Sequence, residues 1–308
     1  MYRTGSTAGG GLSADPLLPH TASSLVDFLT LERLELDLFR GWCHSGVPGQ
    51  AFGGQVVAQS LAAAGHTVED DRPVHSLHGN FLRAGDLRCP IVYSVERLRD
   101  GRRYSARRVT AVQAGQVIFT LSASFKYPEE EPDRQPAMPQ VPEPEDVPDA
   151  FLLWKEHRPE QHRAAGHAQV VSLRVVPPRP EDAPQGDGGQ TRQHVWFRTL
   201  EPLPEDPKLH ACALTYLSDL TLGSTSSLDR EVLYPLRTEP TQLILASLDH
   251  GVWFHRPFRA DEWLLHSQRS ISAGDGRGFN LGEFWTRDGR LVASTVQETA
   301  LRTRGPRP

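Results

Sequence analysis

The chain has 308 residues, 38% of them hydrophobic and 23% charged, with a formal net charge of -5 at pH 7. That size and balance describe one large or two ordinary globular domains and exclude a fibre or wholesale disorder. Arginines are scattered through both halves, so no basic footprint for nucleic acid exists, and no apolar run reaches the roughly 20 residues that span a bilayer.

Residues 1–22 are rich in Gly, Ser, Thr and Pro without periodicity, which predicts a flexible tail. This start lacks the apolar core of a secretory signal, so a cytoplasmic protein is expected. Cys43, Cys89 and Cys212 are too far apart for a disulfide framework or a CxxC metal site and read as small core hydrophobes. No HExxH or clustered His/Cys spacing points to a metal, and no cofactor is expected.

The run LERLELDLF, with Leu34, Leu36 and Leu38 on one face, predicts a strand, an amphipathic helix being the competing reading. Paired glycines then open AFGGQVVAQSLAAAG, which ends at Gly65; a helix is expected over about 54–64, its alanines suited to close packing against strands. HSLHGNFLRA, PIVYSVERLRDG, YSARRVTAVQAG and QVIFTLSASFKY follow as strands joined by glycine-containing turns. One helix followed by an antiparallel meander is an α+β pattern rather than βαβ.

Residues 128–167 are dense in proline and acid and predict a linker, with a short helix near Ala150 to His157. Beyond it, AQVVSLRVVP and RQHVWFRTLEP read as strands around a Pro/Gly-rich loop, HACALTYLSDL as a buried helix, and further strands close the chain.

These elements repeat. Within HGNFLRAGD at 78–86 and HGVWFHRPFRAD at 250–261, HGNFLR can be laid over HGVWFHR with a one-residue gap, and the spacing from Arg83 to Gly115 (115 − 83 = 32) is within one of that from Arg256 to Gly289 (289 − 256 = 33). The expected organisation is a first half over 23–127 and a second over 168–308, each a helix with a curved antiparallel sheet, their sheets pairing so that exposed edges disappear. A crevice between halves is the natural ligand site, and a bare outer sheet face favours self-association.

Because the halves share a plan, polar residues present in only one are the candidates for chemistry. Asp219 lies near the end of the second helix, whereas the first has no carboxylate between Gly53 and Val68. Gln297 falls where the first half has Ala123, and Ser247 where it has Val74 or His75. His78 and His250 look shared and therefore structural. A carboxylate, a hydroxyl and a carboxamide can hold a water, with Asp219 as general base toward an electrophilic carbonyl. Gly54, or the start of the second helix, would supply backbone N–H groups to an oxyanion. Arg107, Arg108 and Arg277 are candidate phosphate contacts, or solvated turn charges.

The segments FGGQVVAQSLAAA, VHSLHGNFLRAGD, SARRVTAVQ, ASLDHGVWFHRPFRADEWLL and LVASTVQE resemble the acyl-CoA thioesterase II family over about residues 25–302. The resemblance implies two fused hotdog folds forming one pseudo-dimeric sheet. It further implies hydrolysis of medium- to long-chain acyl-CoA in fatty acid metabolism without metal or cofactor, and places Asp219, Ser247 and Gln297 on the family's catalytic Asp, Ser/Thr and Gln. The expected partner is the acyl-CoA substrate, with no nucleic acid or membrane, in a homo-oligomer. A hotdog-type enoyl-CoA hydratase, which would want an Asp–His pair, and a non-catalytic acyl-CoA or lipid-binding module are the other readings.

Overall fold

The computed structural model describes residues 22–43, 46–47, 50–157, 169–178, 191–228 and 243–303. The expected tail before Ala22, the end of the acidic linker, all but the first two residues of the Pro/Gly-rich loop expected at 177–189 and the last five residues lie outside them. A short helix α1 (Leu25–Leu29), closed by a Ser24/Asp27 capping box, precedes β1 (Glu32–Glu35), β2 (Leu38–Gly41), β3 (Gly46–Val47) and β4 (Gln50–Ala51). The single strand expected over LERLELDLF is therefore a hairpin. Asp37 turns the chain at φ 65, a conformation Asp tolerates, and Arg97 holds its carboxylate at 2.8 Å, leaving Leu34 and Leu36 exposed.

Helix α2 (Gly53–Gly65) is buried along most of its length, and the meander β5 (Val74–Phe81), β6 (Ile91–Asp100), β7 (Tyr104–Gln113) and β8 (Gln116–Lys126) wraps it. After α3 (Ala150–His157), placed where the sequence predicts a helix, come β9 (Val171–Val175), β10 (Arg192–Thr199) and α4 (Pro207–Ser218). Strands β11 (Leu243–Ser247), β12 (Asp249–Phe254), β13 (Leu264–Gly274), β14 (Arg277–Thr286) and β15 (Leu291–Thr303) complete the second half.

The main sheet runs β1-β2-β6-β7-β8-β5-β12-β15-β14-β13-β10-β9, with β11 extending β12 along β15. Its order reads alike from either end, and its centre is the antiparallel seam of β5 and β12, where Leu77 faces Val252 and Gly79 faces His250. This is the expected α+β hotdog plan: one continuous antiparallel sheet around two helices, not closed into a barrel. The repeat extends to detail, since Arg83 Nη1 donates to Val117 O at 2.7 Å and Arg256 Nη1 to Leu291 O at 2.5 Å.

The proline-rich stretch after β8 is a strap rather than a loose tether. Trp196 Nε1 donates to Pro142 O, Arg174 Nη1 to Pro144 O and Val147 O, and Arg287 pairs with Glu143 and Glu145. Val147, Met138 and Val141 thereby cover Trp196, Trp263, Leu265 and Trp285 on the outer face of the second half. Prolines that remove backbone donors suit a segment that binds by side chains and carbonyls instead of by a ladder.

Candidate active site

Helices α2 and α4 lie start against end, and the site forms where the start of α2 meets the end of α4. Asp219 is the C-cap residue of α4, an unfavourable place for a negative charge because the last carbonyls already carry partial negative charge. Its side chain is only 4% exposed. Three donors hold it: the Gly54 backbone N–H, the Ser247 hydroxyl, and Gln297 Nε2 at 2.6 Å. Burial outweighs them and pushes the carboxyl up to about 7.

The paired glycines are explained by this contact. A Cβ on Gly53 would stand 2.9 Å from Asp219 Oδ2, and one on Gly54 2.8 Å from the Tyr216 carbonyl. Only residues without side chains let the first turn of α2, with its outward N–H groups, press onto the carboxylate.

Gln297 Nε2 also donates to Ser247 Oγ at 2.7 Å, so carboxylate, hydroxyl and amide form a closed triangle while Gln297 Oε1 has no partner among the described residues. Strand register fixes what the first half has at these points. Val74 pairs with Phe125 as Ser247 pairs with Thr299, and a bulge follows each. Leu77 pairs with Ala123 in the first half, and the equivalent positions in the second are His250 and Gln297. Ser247 therefore stands on Val74, not on His75. The bulge turns Ser247 onto the face that carries Gln297.

The two histidines expected to be shared between the halves occupy different positions. His78 and His250 are not counterparts: His78 faces outward, where Asp249 lies 3.3 Å away, while His250 points inward, is 0% exposed, and replaces Leu77. Its Nδ1 lies 3.8 Å from Asp219 Oδ1. The Ser218 hydroxyl donates to Thr215 O, so the 2.7 Å contact between Ser218 Oγ and His250 Nε2 places the imidazole proton on Nε2. Burial depresses His250 to about 4; the ring is neutral, with a bare Nδ1 lone pair beside the carboxylate. The spacing carries the signal, since Arg83 stands five positions after His78 but Arg256 stands six after His250.

The secondary candidates need correction. Gly54 N–H is spent on Asp219, so it braces the carboxylate instead of standing open to an oxyanion. The start of α4 lies at the far end of the helix pair. Arg107 is 1% exposed and locked to Thr67, Arg99 O, Ala106 O and Asp100, a strut inside the first half. Arg108 points outward to Glu96 at 3.3 Å. Arg277 pairs with Glu298 and Asp275 on the sheet face opposite Gln297. Strand alternation divides these arginines between faces, and none of the three touches the Asp219 cluster. The buried thiols of Cys43 and Cys212 are each pushed up to about 12, which removes them as nucleophiles, whereas Cys89 is only half-buried.

An antiparallel sheet folded around paired helices, with a buried carboxylate poised near neutrality at the helix junction, defines a protein of the hotdog class. A hotdog-fold protein from Alicyclobacillus acidocaldarius superposes over 92% of this chain and 98% of its own with a TM-score of 0.70 at 23% identity. The chain belongs to the acyl-CoA thioesterase family. Residues 166–300 match the acyl-CoA thioesterase family itself and residues 41–126 its N-terminal domain. Acyl-coenzyme A thioesterase 8 of Mus musculus is 39% identical over 90% of this chain and 88% of its own, and acyl-CoA thioesterase 2 of Haemophilus influenzae 36% over 91% and 97%. The crystal structure of an acyl-CoA thioesterase II from Mycobacterium marinum matches at 43% identity and a TM-score of 0.75, covering 91% of this chain and 98% of that one.

Proposed function

We propose that the protein hydrolyses medium- to long-chain acyl-CoA to the free acid and CoA, with Asp219 as general base and Gln297 and Ser247 as its positioning partners. The observation that carries this reading is the buried Asp219 carboxyl, raised to about 7 and held by three donors at the junction of the halves. A base of that strength takes a proton at neutral pH and can return it. Water oxygen adds to the thioester carbonyl carbon while Asp219 accepts a water proton and the carbonyl π pair moves to oxygen. Collapse re-forms the carbonyl and breaks the C–S bond, and the leaving CoA sulfur takes the proton back from Asp219. Gln297 Oε1 supplies an acceptor for the second water proton. Beside the carboxylate, Phe52 and Tyr216 (5.0 Å) and Phe81 and Phe119 (4.8 Å) build an aromatic wall that suits an acyl chain.

A cytoplasmic role in fatty acid metabolism, carried by a pair of fused hotdog units, belongs to the same proposal; the free cysteines support a reducing compartment. The hydratase reading gains one observation, His250 beside Asp219. Thiol release from palmitoyl-CoA, followed with DTNB, decides between them. Hydrolysis yields stoichiometric thiol, whereas an enzyme that only consumes enoyl-CoA absorbance, or only binds, releases none and overturns the thioesterase reading.

A further inference from the structure

The inner face of β14 reads Gly278, Asn280, Gly282. A Cβ on Gly278 would collide with Ser226 Oγ and one on Gly282 with His266 Nε2 and Thr295 Oγ1, so neighbours lie close over both glycines and Asn280 carries the polar group between them. Asn280 is the cross-strand partner of Gln297 and shares its face; directly opposed residues in an antiparallel pair keep their Cβ atoms about 4.5–5.5 Å apart.

Asn280 is 0% exposed, yet neither Nδ2 nor Oδ1 has a partner among the described residues. The same is true of Gln297 Oε1 and Thr299 Oγ1, both of which lie against Gly223 of the 3-10 turn Leu222–Ser227. Farther along this face, Gln268 is satisfied by Gln193, Thr225, Thr221 and His266. Unmatched polar atoms thus gather beside Gln297. A buried carboxamide without partners is costly to a resting protein and calls for an explanation in function.

The hydrolysis proposed above needs a donor for the oxygen that becomes negative as water adds, and Gly54, whose N–H is taken by Asp219, is not that donor. We propose that Asn280 is a further catalytic residue: its Nδ2–H donates to the thioester carbonyl oxygen and stabilises the oxyanion. This rests on the thioesterase reading, and it completes a division of labour in which Asp219 handles protons and Asn280 handles charge.

The test is thiol release from palmitoyl-CoA by wild type, N280S, N280A and N280D, with melting temperatures. N280A is expected to lower kcat about 100-fold with KM within about three-fold and no fall in Tm, because a group unpaired at rest contributes nothing to the fold. N280S, keeping a donor, falls between wild type and N280A. N280D is the weakest above neutral pH, where its carboxylate opposes the oxyanion. N280A with kcat within about three-fold of wild type, or with reduced Tm and undiminished turnover per folded molecule, overturns the role. So does N280D outperforming N280A, which would assign the amide to the water. Wild type releasing no thiol sinks the thioesterase reading and this role together; active wild type with equally active N280A sinks only the role of Asn280.

Discussion

The two ends of the helix pair solve one problem in opposite ways. At each, the first turn of one helix abuts the last turn of the other. At one end α2 starts with Gly53-Gly54 against Asp219; at the other α4 starts with Pro207-Lys208 against His66, the C-cap of α2. Pro207 brings no N–H, and Lys208 Nζ donates to Gly65 O, Val68 O and Asp70 at 2.8–3.0 Å. The cation neutralises the carbonyls it faces and closes that end. Burial, with Lys208 adding to it, lowers the pKa of His66, which stacks on Phe39 at 5.4 Å. One position in a duplicated fold is a clamp when a lysine reaches across it and, on the mechanism proposed above, a reactive site when a carboxylate is forced against carbonyls with Gly54, Ser247 and Gln297 as its donors.

The largest expected effect comes from removing the charge at the reactive end. Asp219→Asn should cut kcat about 1,000-fold, while wild-type kcat/KM rises with pH through about 7 as the carboxyl ionises. Because the folded-state pKa is raised, proton binding favours the fold at low pH and that contribution is lost as pH rises through about 7. D219N should therefore gain stability relative to wild type above that pH; an unchanged rate, or a stability difference of the opposite sign, breaks the comparison. Next, His250→Leu copies the first half's Leu77. Relieving the lone pair that faces Asp219 should lower kcat about ten-fold and move the acid limb of the pH profile downward, and an unmoved limb would make His250 purely a packing residue.

At the clamped end, Lys208→Met should leave turnover unchanged and cost about 1 kcal/mol, a drop of a few degrees in melting temperature. The smallest effect is expected from planting the polar set at the wrong end. His66→Asp combined with Val74→Ser, Leu77→His and Ala123→Gln in D219N should restore no thiol release, since Pro207 has no N–H and the N–H of Lys208 is taken by Asp206, so neither stands in for that of Gly54. Recovered activity would show that the starts of the two helices are interchangeable.

Much of this was legible in the sequence. The Gly-Gly helix start, the meander and the repeat declare themselves through turn residues and period-two patterning, and Asp219, Ser247 and Gln297 emerge as departures from that repeat. His250 is hidden because each half carries a His-Gly dipeptide, His78-Gly79 and His250-Gly251, and superposing the two dipeptides puts the strands one residue out of register. A slip of one residue turns every side chain to the other face; anchoring on Arg83 and Arg256 puts His250 over Leu77. Arg107 could have been read as buried, since it alternates in phase with Ser105, Val109 and Ala111. The strap left a weaker trace. HVWF and GEFW place Trp196 and Trp285 next to inward-facing phenylalanines, a sign that both sheet faces are covered, but which segment covers the outer one is settled only by long-range packing. Asn280 has no signature at all, because an unmet hydrogen bond is a property of surroundings.

The seam of β5 and β12 has a consequence for how such a molecule is allowed to diverge. A dimer of identical chains presents two equivalent helix junctions, so any change at one is imposed on the other. Joining the copies in a single polypeptide fixes their proportion at one to one and makes their encounter intramolecular, independent of concentration. Each junction can then be altered on its own, and one can be surrendered to stability. Cutting the chain within the strap and expressing the pieces separately should return that bargain to mass action: activity would appear only above a threshold of both fragments, because Gly54 and Asp219 would arrive on different molecules.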